Sequence, residues 1–343
     1  MSRMTGFRAI VIDQQTEGGR VLAHSAEIRR VSDDILMPGA VTIDVDFSDL
    51  NYKDGLVIAG RPGVARISPL IPGIDLAGSV AASDDARWRP GDRVVLNGDG
   101  LGERHHGGFA ERARVRGDAL VRIPDSITAE QAAAIGTAGF TAMLAVLALE
   151  RSGADPDRVR AEGSSVLVTG AAGGVGSVAV AILAKLGYPV TAATGRAQEL
   201  GGYLTDLGAE AIIHRDEIAR GGKPLQAQRW ACAVDAVGGT TLATVLAQTR
   251  YGGAVAACGL AQSPDLPTTV LPFILRAITL IGINSVEAPV TLRETAWQRL
   301  ATDLDRDTLA TMTRTIPLAE AIPAAEEILA GHIHGRTVVD VRA

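Results

Sequence analysis

The stretch with the most chemical content is Gly170-Ala-Ala-Gly173-Gly174-Val-Gly176. It follows an apolar run, Ser165–Thr169, with the length and Val content of a buried strand, and it opens a helix-forming run over residues 177–186 that Gly187 would end. Small residues at such a turn let the backbone reach a pyrophosphate, whose charge is favoured at a helix N-terminus. A tight turn without any ligand gives the same string, so the alternating strands around it carry the dinucleotide reading. The next strand, Val190–Thr194, runs into Gly195-Arg196 and has no carboxylate at its tip. An acid there would bind both hydroxyls of an unphosphorylated adenosine ribose. Arg196 can instead grip a 2′-phosphate, with Gly195 permitting close approach and Thr194 offering a hydroxyl. Arg215, just past the third strand, can close the other side. Either arginine alone reads equally as a solvated loop charge; the two together, with the missing acid, favour NADP(H) over NAD(H).

Two textures of sequence must position these residues. From residue 7 to about 124 the candidate strands are short (7–12, 41–47, 78–82 and 93–96) and are broken at Pro38-Gly39, Pro62-Gly63, Pro72-Gly73, Pro90-Gly91 and Gly107-Gly108. That spacing predicts a compact β-barrel or sandwich. From about Ser126 the chain alternates Ala/Leu-rich helices with apolar strands. After Ser165–Thr169 and Val190–Thr194 come strands over 211–213, 231–237, 254–258 and 278–283, with helices such as 197–207 and 240–250. Such alternation predicts an α/β domain, a doubly wound parallel sheet with helices on both faces. The tail ends in a strand-like 336–341.

Composition bounds the alternatives. The 343 residues suggest about two domains, and 47% apolar residues with only 3% aromatics mean cores built from Ala, Val, Leu and Ile. The net charge of −6, without any basic run, argues against nucleic acid. Two cysteines exclude a disulfide framework and a four-cysteine zinc site. Residues 163–184 carry no charge, but their crowded glycines make a strand, turn and helix rather than a membrane span. A second uncharged run, 131–149, reads as a buried soluble helix or two. Residues 1–10 contain Arg3 and Arg8 and no apolar leader core, so a cytoplasmic protein is expected.

Longer strings bring a family into view. Gly91-Asp-Arg-Val94, Gly107-Gly-Phe-Ala-Glu111 and the glycine turn resemble the medium-chain dehydrogenase/reductase superfamily over essentially the whole chain. Leu50-Asn-Tyr-Lys-Asp54, Ile71-Pro-Gly-Ile-Asp-Leu-Ala-Gly78, Gly136-Thr-Ala-Gly-Phe-Thr-Ala142, Tyr251-Gly-Gly-Ala-Val-Ala-Ala-Cys-Gly-Leu260 and the run from Leu266 to Arg276 are similar to its NADPH-dependent acrylyl-CoA reductase branch, long grouped with quinone oxidoreductases. The resemblance implies a GroES-like β-barrel catalytic domain (residues 1–125), a Rossmann NADP-binding domain (126–288) and a C-terminal segment (289–343) returning to the first. It also implies a nicotinamide-holding cleft between domains, and a homodimer is expected.

Zinc alcohol dehydrogenases of that superfamily place a Cys where this chain has Asn51 and a His where it has Ile74, so two metal ligands are missing and no metal is expected. His332 and His334 can share a strand face, yet a pair alone makes no zinc site. Without a Lewis acid, reduction of an activated double bond becomes the attractive chemistry, and an acyl-CoA thioester the expected substrate. Tyr52 is the residue expected beside nicotinamide and substrate, as proton donor or as a cofactor-contact aromatic; Asp54 either orients that network or caps the following turn. Lys53 is expected to face solvent. The resemblance further implies that Ala172, Gly173, Gly174 and Val175 line the pyrophosphate, and that Leu260, Ile274 and Ser285 approach the nicotinamide half. Near the C-terminus, His332 or Arg336 approaches the cofactor. Cys258 reads as a small strand residue without a base partner. The alternatives are a quinone or general enone reductase with the same cofactor, and a non-catalytic NADPH-binding protein.

Overall fold

The computed structural model describes residues 6–343; Arg3 and the rest of residues 1–5, part of the stretch read for a leader, lie outside the described residues. The chain divides into two units. One comprises Met1–Thr137, Ser285–Ala301 and Leu309–Ala343, the other Ala138–Asn284 and Thr302–Thr308.

The first unit begins with β1 (Gly6–Glu17) and β2 (Arg20–Ser32), an antiparallel hairpin turned at Gly18-Gly19. The second of these strands is not evident in the sequence: it is mostly exposed, carries Arg20, His24, Glu27, Arg29 and Arg30, and so lacks a clean apolar alternation. Then come β3 (Val41–Asp49), α1 (Tyr52–Ile58), β4 (Asp75–Ser83), β5 (Arg93–Asn97), β6 (Arg112–Val115) and β7 (Val121–Arg122). The helix α2 (Ala129–Arg151) follows. It is broken at Gly136, whose φ of 51° and ψ of −163° are not helical. The division between units falls just after this break, twelve residues beyond the expected 125, because the first turns of α2 stay with the β-rich unit.

The second unit continues through α3 (Pro156–Ala161), β8 (Ser165–Thr169), α4 (Gly174–Lys185), β9 (Val190–Thr194), α5 (Ala197–Asp206), β10 (Ala211–His214) and α6 (Asp216–Ala219). It is completed by β11 (Trp230–Asp235), α7 (Gly239–Gln248), β12 (Thr249–Ala257), α8 (Leu271–Arg276) and β13 (Thr279–Gly282). The strands form one all-parallel sheet in the order β10-β9-β8-β11-β12-β13. The chain order reverses between β8 and β11, the switch point where doubly wound sheets bind ligands beyond their strand ends. Leu167, Ala193, Ala233, Val245, Leu246 and Val255 fill the core of this unit. Gly187 has φ +86° just past α4, the left-handed helix cap its position suggests.

The chain then runs through α9 (Val290–Asp303), α10 (Arg306–Thr311), β14 (Thr313–Pro317), α11 (Ala321–Leu329) and β15 (Arg336–Asp340). The last strand pairs antiparallel with β3, Val338 opposite Asp49, within the sheet β14-β15-β3-β4-β5-β7. The tail therefore closes the β-rich unit, over a core of Ile10, Ile43, Leu76, Leu96, Phe109 and Val339. His332 and His334 do not share a strand face; they lie in the loop before β15. Among the described residues α2 alone is long and apolar enough to cross a membrane, and 94% of its apolar window is buried inside the protein.

Candidate active site

In the α/β unit the glycine turn joins β8 to α4. Gly170 takes φ +59°, and a Cβ on Gly176 would run into the Gly170 carbonyl and the backbone of Ala171. Only glycine closes that turn. At Gly173, the N-cap of α4, a Cβ would meet nothing nearer than the Gly170 oxygen at 3.4 Å, and no side chain caps the helix. The first turn of α4 therefore offers backbone donors on an open side, with Ala172 buried beneath and Gly174 and Val175 half-buried.

The adjacent strand supplies the cationic end. Ala171 N–H donates to Ala193 O (3.1 Å), which ties the glycine turn to the tip of β9. Thr194 is buried, its hydroxyl accepting from Arg196 N–H (3.2 Å) and its carbonyl from Arg215 N–H (3.0 Å). A Cβ on Gly195 would sit 2.9 Å from Arg215 Nε and 3.0 Å from its Cζ. Arg215 thus lies across Gly195, beside Arg196. The acid nearest this tip in sequence is Glu199, one turn into α5, with its Oε1 3.6 Å from Arg196 Nη1. Leu260 and Ile274 lie on the surface of the same unit, 64% and 68% exposed. Cys258 is inert: its thiol donates to Asp235 O, and burial pushes its pKa up to about 12.

In the β-rich unit Tyr52 is the first residue of α1 and 53% exposed. Asp54, fully buried, takes the capping alternative. Its Oδ2 accepts the Asn51 N–H and its Oδ1 the Ile74 N–H, both at 2.9 Å. Burial pushes its carboxyl up to about 7, against the pull of these donors. Lys53 does not simply face solvent; its Nζ lies 2.7 Å from Glu103 Oε1.

Around Asn51 is a polar network. Asn51 Nδ2 donates to Asp49 Oδ2 (3.0 Å) and Asp75 Oδ2 (2.8 Å). Asp75 also accepts from Asn97 Nδ2 (2.7 Å), Thr137 N–H (2.9 Å) and the Thr137 hydroxyl (2.6 Å). Asp49 pairs with the Arg336 guanidinium, while its Oδ1 is buried without a hydrogen-bond partner. Burial and then Asp75 raise the Asp49 pKa well above the usual range, against Arg336. Arg336 is itself 3% exposed and committed to Asp49 and the Ala134 carbonyl, so it is not open to a cofactor as its position in the sequence suggests. His332 is exposed, 2.9 Å from Glu327. Ser285 is buried, its carbonyl accepting from Arg293 (3.2 Å).

Comparisons with known proteins agree with this architecture. Residues 37–125 match the alcohol dehydrogenase GroES-like domain, and residues 174–302 match the family described as zinc-binding dehydrogenase. The acrylyl-CoA reductase AcuI of Ruegeria pomeroyi is 50% identical over 338 residues, 98% of this chain and 100% of that protein. The chain belongs to the acrylyl-CoA reductase and quinone oxidoreductase-like family of the medium-chain dehydrogenase/reductases. The yhdH oxidoreductase of Salmonella enterica, solved in complex with NADP, superimposes with a TM-score of 0.91 at 49% identity, covering 97% of this chain and 99% of that one. The yhfP protein of Bacillus subtilis, solved with NAD bound, gives 0.90 at 41% identity, covering 98% and 99%.

Although one matching family description names zinc, this member lacks the ligand set. Asn51 spends both amide hydrogens on carboxylates, and Ile74 is core. Among the described residues no group of three or more His, Cys, Asp or Glu side chains is arranged to hold a metal ion. The network residues Asp49, Asp75, Asn97 and Thr137 were not singled out from the sequence. The available signal was an acid placed against buried apolar neighbours, as Asp75 is between Ile74 and Leu76.

Proposed function

We propose that the protein is an NADPH-dependent reductase of the activated double bond of acrylyl-CoA, giving propionyl-CoA. The observation that carries this reading is the full-length similarity to the acrylyl-CoA reductase of Ruegeria pomeroyi, at 50% identity. The chain's own residues fit the cofactor. The glycine turn leaves the N-terminal donors of α4 open to a pyrophosphate, and Ala172, Gly173, Gly174 and Val175 would line it. Family membership alone does not choose between NADP and NAD, because relatives have been solved with each. Arg196 and Arg215 around Gly195 support the 2′-phosphate, with Thr194 holding the Arg196 and Arg215 backbones in place. Leu260, Ile274, Ser285 and His332 are proposed as further cofactor contacts by family position.

When bound, the cofactor supplies a hydride to the β-carbon of the thioester. The α-carbon then needs one proton, and the exposed phenol of Tyr52 is the group we assign to deliver it or to hydrogen-bond the thioester oxygen. Asp54 acts one step back, as the cap that holds the helix carrying Tyr52. Two copies of the chain are proposed to pair, in the cytoplasm.

The test follows NADPH absorbance with acrylyl-CoA, a small quinone and an alcohol/NADP pair. Fast stoichiometric oxidation with acrylyl-CoA is expected, and Tyr52→Phe should slow it about 10²-fold if its hydroxyl is the acid. Ready quinone turnover with acrylyl-CoA ignored would make the protein a quinone reductase. No turnover with either, together with tight NADPH binding, would make it a non-catalytic binding protein.

A further inference from the structure

Tyr52 is half exposed at the first position of α1, and the residue before it is the N-cap of that helix. Asn51 is held at three points, all of them buried carboxylates: its N–H by Asp54, and its two amide hydrogens by Asp49 and Asp75. Asp49 is in turn held by Arg336, whose Nε donates to Ala134 O at 2.7 Å. That carbonyl belongs to the turn of α2 just before Gly136 breaks the helix. Gly136 also makes the space. A Cβ there would lie 2.6 and 2.7 Å from the two Asp49 oxygens and 2.8 Å from Arg336 Nη2. The arrangement runs in one line: a gap in α2, a buried ion pair seated in the gap, and the N-cap residue of α1 suspended from the pair.

A buried ion pair is poor value for stability, since desolvation offsets the attraction, but it fixes geometry where a hydrocarbon pair would not. Here the geometry it fixes is the direction of α1 at its first turn. We propose that Arg336 is a positioning residue for the reduction: through Asp49 and the Asn51 amide it sets the direction in which Tyr52 presents its phenol. The proposal rests on Tyr52 acting at the reacting atoms, and the experiment separates the two ideas.

The variants are Asp49→Asn/Arg336→Met, which removes both charges together, and Arg336→Lys, which keeps the charge and loses the planar fork. In the full-length double variant, cooperative unfolding and NADPH affinity should be retained. Amide exchange over residues 50–58 should rise by about tenfold or more, while exchange over 165–185 stays unchanged. Turnover at saturating acrylyl-CoA should fall by about 10–100-fold with a much smaller change in KM. Tyr52→Phe should then cost far less in this background than in the native one, because its phenol is already misdirected. Arg336→Lys should recover part of the turnover, and it carries the test if the double variant does not fold. Native turnover and native exchange over 50–58 in a folded variant would overturn the proposal. So would a Tyr52→Phe effect of undiminished size, which would mean that the loss does not pass through Tyr52. If Tyr52→Phe alone is fully active, the acid role of Tyr52 fails, and exchange over 50–58 still decides whether Arg336 holds the helix.

Discussion

Arg215 lies across Gly195 and Arg196 follows that glycine directly, so on the proposed reading the two guanidinium groups supply the charge for a 2′-phosphate. A phosphate held by two guanidinium groups gains charge-assisted hydrogen bonds, each worth about 1.5–3 kcal/mol. Glu199 tempers Arg196 but stands a helical turn away, with its side chain mostly exposed. Replacing Arg196 with Ala should weaken NADPH binding by about 10–100-fold, the loss of one such bond, and leave NADH nearly unchanged. Fluorescence titration of both cofactors checks this, and equal losses would contradict the 2′-phosphate assignment. Asp54 shows how a residue's role depends on what it touches. Its carboxyl is buried and accepts two backbone N–H groups, so the part it plays here is to cap the helix that carries Tyr52.

At the scale of elements, the break in α2 is the feature with most consequence. An uninterrupted helix would hydrogen-bond the Ala134 carbonyl internally and leave no room for Asp49 and Arg336. Gly136→Ala should therefore be costly twice over. A residue with a side chain at φ +51° and ψ −163°, a region essentially restricted to glycine, loses about 1–3 kcal/mol on backbone grounds alone. The new Cβ would in addition press on both members of the ion pair. Gly163 is a natural control, with φ +56° and nothing within 4 Å of its Cβ. Denaturant unfolding should show Gly163→Ala losing about 1 kcal/mol and Gly136→Ala at least about twice that. Equal losses would mean that the pair tolerates the intrusion.

At the scale of the molecule, the α/β sheet ends in an unpaired edge. Strand β13 leaves Thr279 and Gly282 exposed, and nearby Val270, Ile274 and Leu275 are 64%, 68% and 57% exposed. An open edge bordered by apolar side chains invites pairing with an identical edge by a two-fold axis. Sedimentation equilibrium should give a mass near twice the 35.6 kDa of the chain. Leu275→Glu should shift it toward one chain while the fold is retained. A single-chain mass for the native protein at micromolar concentration would remove the proposed dimer.

What the sequence determined by itself was whatever depends on neighbours along the chain. The glycine turn, the period of the α/β strands and the absence of a carboxylate at the tip of β9 are all local. Val190–Thr194 and Ser165–Thr169 are strands over the residues expected. Strand β2 escaped because its exposed face carries charges that break the alternation. The network around Asn51 escaped for a different reason. Arg336 and Asp49 are 287 residues apart, Asp75 and Thr137 are 62 apart, and nothing in either string announces the other. Whether an aspartate is a solvated charge or a buried anchor depends on desolvation and on which donors face it. Those are properties of the packed interior, and only the tertiary structure decides them.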